Sequence, residues 1–168
     1  MPIYPKEKIE KLIDGALSWV ELKDMMSASK DIDRFDKYVE IIQSRVKWKD
    51  KIILPYALHL YIVAKEGMRI IKCDCGYEFG DYRENWKLKA LIHVRDTEEK
   101  LNEIYPKYMY AKPEYQELRE YFCPGCLTLL DVEAVTPGYP PIFEFLPDID
   151  AFYKEWLGRD PPDVEEKK

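Results

Sequence analysis

Four cysteines in two close pairs constrain this chain more than any other feature of its sequence. Two pairs separated by a long insert are the usual sequence pattern of a structural zinc site, in which each pair lies in one tight turn. A glycine follows the first pair and a Pro-Gly step lies inside the second, and both favour the turns that bring thiolates onto one ion. The residues predicted to hold the metal are Cys73, Cys75, Cys123 and Cys126.

The cysteine spacing leaves other interpretations open. The first pair has a one-residue spacer, which makes the motif less specific than two Cys-x-x-Cys pairs. A redox-active Cys-x-x-Cys pair lies at the start of a helix that follows a strand, whereas Cys123–Cys126 comes after helix-like sequence and before a β-prone segment. A disulfide framework is typical of small secreted chains. His93 could also replace one cysteine in a three-cysteine site, although we expect both histidines, His59 and His93, to be hydrogen-bonded or on the surface.

Charge and hydropathy exclude some functional classes. The chain has 26 Lys and Arg against 32 Asp and Glu, a net charge of −6, so it lacks the general attraction to phosphate on which most nucleic-acid binding depends. The basic run at 45–51 is the one local exception, and we interpret it as a solvated face. No apolar run approaches the length of a membrane span, and the charged start lacks the apolar region of a secretory signal. We therefore expect no nucleic acid, no membrane and a cytoplasmic location, where thiols stay reduced.

The pattern along the chain predicts helices first and strands later. Apolar spacing predicts a helix after Pro5, a second helix that restarts at a capping box over 18–21, and a third with an apolar stripe from Ile32 to Val46. Residues 52–64 are rich in β-branched and aromatic residues, and a turn at 65–67 precedes a return strand over 68–75. Further along, the sequence predicts a strand over 84–97, helices over 97–106 and 114–121, and a proline-rich extended arm over 136–150. A helix over about 149–157, with Asp148 as N-cap and Gly158 as its stop, and a disordered tail over 159–168 follow.

These elements predict an α+β fold. We expect N-terminal helices over residues 1–50, a β-hairpin-based, zinc-ribbon-like core with a helical insert over 51–136, and the proline-rich C-terminal arm with its terminal helix and tail over 137–168. Four thiolates fill a tetrahedron and leave no coordination position for water or substrate. The residues alone therefore indicate a zinc-stabilised binding or scaffold protein without a catalytic constellation.

Several longer segments resemble one known family, the gamma subunits of acetone carboxylases. The segments that carry the resemblance are WKDKIILP, CDCG, ENWKLKALIHVRDTEEKLNEIYP, REYFCPGC, DVEA, PGYPPI and PDIDAFYKEWLG, which cover most of residues 31–158. The N-terminal helices match in kind but are less diagnostic.

The resemblance implies an assembly of alpha, beta and gamma subunits, two of each, that carboxylates acetone with bicarbonate to acetoacetate and hydrolyses ATP to AMP and phosphate. In that family the large subunits carry the ATP and manganese chemistry and the gamma subunit binds zinc, which would assign the same four cysteines as ligands. No catalytic residue is carried over to this chain. The alternatives are a free-standing zinc ribbon that binds nucleic acid or protein, and a small thiol oxidoreductase.

Overall fold

The computed structural model describes residues 3–163 of the 168-residue chain as a mixed fold of helices and two antiparallel sheets. The helices are α1 (Lys6–Ile13), α2 (Trp19–Ser27), α3 (Arg34–Arg45), α4 (Glu98–Asn102) and α5 (Ile149–Ala151), with a 3₁₀ turn at Trp86–Lys89 and a π-helical turn at Phe152–Trp156. The strands are β1 (Lys51–Ala57), β2 (Leu60–Lys65), β3 (Met68–Cys73), β4 (Glu78–Asp81), β5 (Leu91–Arg95), β6 (Glu117–Phe122) and β7 (Leu129–Val135). The predicted α+β class is confirmed.

Both sheets are meanders in which neighbouring strands follow each other along the chain. The first sheet has the order β1-β2-β3-β4 and the second has the order β5-β6-β7. Antiparallel strands need only short connections, and the predicted turn before Met68 is present, with Gly67 in the left-handed region at φ 75°. The hairpin of β2 and β3 therefore confirms the sequence prediction for this segment.

The first sheet is covered on both faces, which explains the nearly continuous apolar sequence of its central strand β2. Ile52, Val63 and Ile70 lie on one face and pack against α3. The opposite face belongs to the main core, whose buried residues are Ile53, Leu60, Ile62, Ile71, Cys73, Phe79, Trp86, Tyr121, Cys123, Leu130, Ile149 and Tyr153. This core joins both sheets to the C-terminal helix.

A local capping signal starts the second helix where the sequence predicts it. Ser18 and Glu21 form the expected capping box, because the Ser18 hydroxyl accepts from the Glu21 amide while the Glu21 carboxylate accepts from the Ser18 amide. Helix α1 packs against α3, and Ile9 and Ile41 are fully buried there. Ile32, predicted to belong to the apolar stripe of α3, instead precedes that helix and is 85% exposed.

Two element predictions in the central region are wrong. Residues 84–97 do not form one strand, because Asn85 caps a 3₁₀ turn by accepting from the Lys87 amide, and only Leu91–Arg95 is extended. Residues 114–121 were expected to be helical, yet Glu117–Phe122 is the central strand of the second sheet. There it hydrogen-bonds to β5 and β7 along its length, and this pairing outweighs the helix propensity of its Glu, Leu and Arg residues.

The β-prone segment 52–64 contains two strands rather than one. The chain reverses at Leu58 and His59, and Ala57 then pairs with Leu60. Strand β1 lies at the edge of the first sheet, where Pro55 is tolerated although it cannot donate a backbone hydrogen bond.

The C-terminal helix begins and ends where its caps predict. The Asp148 side chain accepts from the Ala151 amide at 2.9 Å, and Gly158 follows the helix with φ 66°. The Tyr153 hydroxyl donates to the Ile53 carbonyl at 2.8 Å, which fixes this helix to the first sheet. Arg159 pairs with Asp36, and Arg69 pairs with Asp163 at 2.6 Å, so these two residues of the tail predicted to be disordered contact the body. The end of that tail, 164–168, lies outside the described residues.

The segment between β7 and α5, residues 136–148, contains no helix or strand and is connected to the body by polar contacts. The Asn85 side chain donates through Nδ2 to the Pro141 carbonyl at 3.1 Å, and the Tyr56 hydroxyl donates to the Phe145 carbonyl at 2.7 Å. The Ile142 amide donates to Glu133 at 3.1 Å. These contacts hold the proline-rich segment on the second sheet and on β1.

Lys87 is the most buried charged residue in the part of the chain that the structure describes, at 2% exposure. Its ammonium lies 2.5 Å from Asp131, 2.6 Å from Glu133 and 3.1 Å from Glu144. Burial alone would lower the pKa of Lys87, but the three carboxylates outweigh this effect and hold the pKa above its ordinary value. We call these four residues the Lys87 cluster.

Within residues 3–163, no helix combines the length and the apolar character that crossing a bilayer requires.

We expect Lys87→Met to destabilise the chain by about 3–5 kcal/mol, because it leaves the buried Glu133 carboxylate without its cation. Urea unfolding of the full-length chain measures this loss. Lys89→Met is the matched control, since the Lys89 ammonium pairs with the exposed Glu84, and such a pair contributes about 0–1 kcal/mol. Equal and small effects of the two substitutions would contradict the role given to the Lys87 cluster.

Candidate metal centre

The first cysteine pair lies in the turn between β3 and β4. The Gly76 amide donates to the Cys73 carbonyl at 2.8 Å, and the Cys73 amide donates to the Tyr77 carbonyl at 2.9 Å, which closes the turn around Cys75. Gly76 has φ 100°, a conformation that residues with a Cβ rarely adopt. The glycine after the first pair is therefore required by the turn, as its position in the sequence indicates.

The second pair lies in the turn between β6 and β7. The Cys123 amide donates to the Thr128 carbonyl at 2.9 Å, and the Leu127 amide donates to the Cys123 carbonyl at 2.8 Å. The Gly125 amide points at the Cys123 sulfur at 3.4 Å, which is a contact that stabilises a thiolate. Strand β6 precedes this pair and strand β7 follows it. This turn therefore lacks the helix N-terminus that lowers the thiol pKa in redox-active pairs.

The two turns bring all four predicted sulfur ligands together. Cys73 Sγ lies 3.8 Å from Cys126 Sγ, and Cys75 Sγ lies 3.7 Å from Cys123 Sγ, while all four sulfurs lie within 4.8 Å of one another. A tetrahedral zinc with Zn–S bonds of about 2.3 Å has sulfur–sulfur edges of about 3.8 Å. The cysteines are free thiols, so the donor set and its spacing fit a Cys₄ metal site rather than a pair of disulfides.

The histidines do not join the sulfur cluster in the described part of the chain. His93 is exposed on β5, opposite Glu120, and His59 lies in the β1–β2 turn with its Nδ1 against Asp74. The option of a three-cysteine site completed by His93 has no support in this arrangement.

The thiols have unequal environments. Burial raises the pKa of Cys73 and of Cys123, both of which belong to the main core. Cys126 is exposed, and its contact with the Thr128 hydroxyl at 3.2 Å lowers the pKa of Cys126 to about 7. The thiolate is the form that binds metal, so Cys126 offers a ligand near neutral pH while the buried thiols need the charge of a cation to ionise.

A second group of acidic side chains also converges, but a cation already lies at its centre. Asp131, Glu133 and Glu144 have carboxylate oxygens within 4.8 Å of one another, and the Lys87 ammonium contacts all three. The ammonium therefore takes the place that a metal ion would occupy. Sequence reasoning missed this cluster because no local pattern marks it, and Lys87 and Glu133 are 46 residues apart.

We expect Gly125→Ala to weaken metal binding, because the new methyl group would lie 3.2 Å from Cys75 Sγ and 3.1 Å from Tyr77 Cβ. Overpacking of this kind costs about 1–3 kcal/mol, and about 1.4 kcal/mol corresponds to a tenfold loss of affinity. Competition between the chain and a chromogenic chelator for Zn²⁺ measures the change. Gly138→Ala is the control, since it imposes backbone strain at φ 83° but meets nothing within 4 Å. An unchanged Zn²⁺ affinity in Gly125→Ala would contradict the close approach of the two turns.

A family model and a relative that aligns over nearly its whole length identify the same family. Residues 46–157, which include both cysteine pairs, match the family model of the acetone carboxylase gamma subunit. The acetone carboxylase gamma subunit of Xanthobacter autotrophicus is 50% identical over 162 residues, which cover 95% of this chain and 96% of that protein. The acetophenone carboxylase beta subunit of Aromatoleum aromaticum is 31% identical over 80 residues, 46% of this chain and 62% of that protein. The chain belongs to the acetone carboxylase gamma subunit family.

Proposed function

We propose that this chain is the zinc-binding, non-catalytic gamma subunit of an ATP-dependent acetone carboxylase. The parent enzyme would convert acetone, bicarbonate and ATP to acetoacetate, AMP and phosphate in the cytoplasm. The observation that carries the proposal is the convergence of Cys73, Cys75, Cys123 and Cys126 in a chain of this family.

The ligand set supports a structural role for the metal. Four cysteine thiolates satisfy a tetrahedral zinc ion and leave no open position for water or substrate. Bound zinc would supply a cross-link between the β3–β4 turn and the β6–β7 turn. The four sulfurs converge only when both turns are folded, so the free energy of metal binding adds several kcal/mol to the free energy of folding.

The surface supports a role in assembly. Large apolar side chains are exposed on the proline-rich segment and on the second sheet, among them Tyr139, Phe145, Leu146, Leu91 and Val132. Aromatic and apolar groups of this kind are enriched at the centres of protein interfaces. We propose that these surfaces contact alpha and beta subunits in an assembly with two copies of each subunit, and that ATP and manganese bind to the partner subunits.

We expect Cys123→Ser to lower the metal content of the chain below one ion and to reduce its co-purification with the two large subunits. The reason is that a hydroxyl is a poor ligand for zinc and the two turns lose their cross-link. Elemental analysis and affinity purification of a tagged gamma subunit measure both effects. His93→Ser is the control, since it removes a histidine outside the sulfur cluster. Complete assembly without bound zinc would overturn the proposed role of the metal.

The same preparation separates the alternatives. A thiol oxidoreductase would have a rapidly reacting cysteine and would reduce disulfides without partners, whereas zinc-bound thiolates would react slowly until a chelator is added. A nucleic-acid-binding ribbon would bind RNA or DNA with a strong dependence on salt.

A further inference from the structure

His59 has a backbone conformation that its side chain makes unfavourable. It is the second residue of the two-residue turn between β1 and β2, and its φ is 64°. Residues with a Cβ rarely adopt this left-handed conformation, and glycine is the residue that fits it best. A histidine in this turn therefore raises the question of what its imidazole does.

The imidazole and the backbone of His59 both hold Asp74. His59 Nδ1 lies 2.5 Å from Asp74 Oδ2, and because a carboxylate accepts, the Nδ1–H donates. The Asp74 amide donates to the His59 carbonyl at 3.1 Å. Asp74 is the single residue between Cys73 and Cys75, so both contacts act on the spacer of the shorter cysteine pair.

Trp48 holds the same spacer from its carbonyl side. The indole Nε1–H is shared between the Cys73 carbonyl and the Asp74 carbonyl, each at 3.1 Å. Asp74 thus has its amide, its side chain and its carbonyl each engaged by groups outside the turn. The two backbone bonds that close this turn, from Gly76 to Cys73 and from Cys73 to Tyr77, do not involve Asp74, so the outside contacts act on a spacer that the turn itself leaves unbonded.

We infer that His59 is a positioning residue of the metal centre, which acts through Asp74 to hold Cys73 and Cys75 in the geometry that binds metal. The inference rests on the proposed metal binding, and it explains why the strained turn contains a histidine. Hydrogen-bond partners around metal ligands change metal affinity by about 10–100-fold when they are removed. An effect of this size is expected here although neither His59 nor Asp74 is a ligand.

The test is a Co²⁺ titration of the full-length chain, monitored by the thiolate-to-Co²⁺ charge-transfer absorption. Zn²⁺ is then added to displace the bound Co²⁺. His59→Gly should weaken Co²⁺ binding by about 10–100-fold, while the thermal unfolding midpoint of the metal-free chain does not fall, because glycine relieves the strained φ. Glu66→Gly is the matched control. Glu66 also has a positive φ, 51°, but lies in the β2–β3 turn, at the far end of the strands from Cys73. The Glu66→Gly variant should bind Co²⁺ with the same affinity as the unaltered chain.

A double variant separates positioning through Asp74 from a general effect on the turn. If His59 acts through Asp74, His59→Gly combined with Asp74→Ala should bind Co²⁺ no more weakly than the weaker single variant. Unchanged affinity in His59→Gly, equal losses in His59→Gly and Glu66→Gly, or multiplying losses in the double variant would each overturn the inference. If the unaltered chain binds neither Co²⁺ nor Zn²⁺, the proposed metal site itself fails, which is a different result from wild-type binding without a His59 effect.

Discussion

The packing of both sheets on one main core is the constraint that brings the four thiols together. The described residues form two separate sheets with no strand ladder between them, and each sheet contributes one cysteine-bearing turn. Cys73 and Cys123 are also buried in the main core beside Phe79 and Tyr121, so the cluster continues the apolar packing instead of lying apart from it. A cation at this position would neutralise thiolates that burial otherwise disfavours, which couples metal binding to the packing of both sheets.

The Lys87 cluster is a second long-range contact, and it connects the 3₁₀ turn, β7 and the proline-rich segment 136–148. Its ammonium comes from the 3₁₀ turn, two carboxylates come from β7, and Glu144 comes from the proline-rich segment. Glu133 also accepts from the Tyr121 hydroxyl at 2.6 Å and from the Ile142 amide. The buried Glu133 carboxylate therefore contacts Lys87, Tyr121 and the segment 136–148 at once, and these partners offset the cost of its burial. The aromatic side chains of that segment are thereby presented in a defined arrangement.

Local signals were sufficient where a structure depends on neighbours in the chain. The capping box at Ser18, the turn before Met68 and the N-cap at Asp148 are each complete within a few residues, and all three are present. The prediction for 114–121 was wrong because its Glu, Leu and Arg residues favour a helix in isolation. What decides their conformation is hydrogen bonding to β5 and β7, which the local sequence does not contain.

The sequence by itself identified the four thiols of the candidate site, because two close cysteine pairs beside residues that favour turns are the usual pattern of a structural zinc site. It also determined the α+β class and the family resemblance. Only the tertiary structure decided that Lys87 turns inward to three carboxylates and that His59 and Trp48 hold the Asp74 spacer. These contacts join residues far apart in the chain, and their geometry depends on how the packed sheets bring the backbone together.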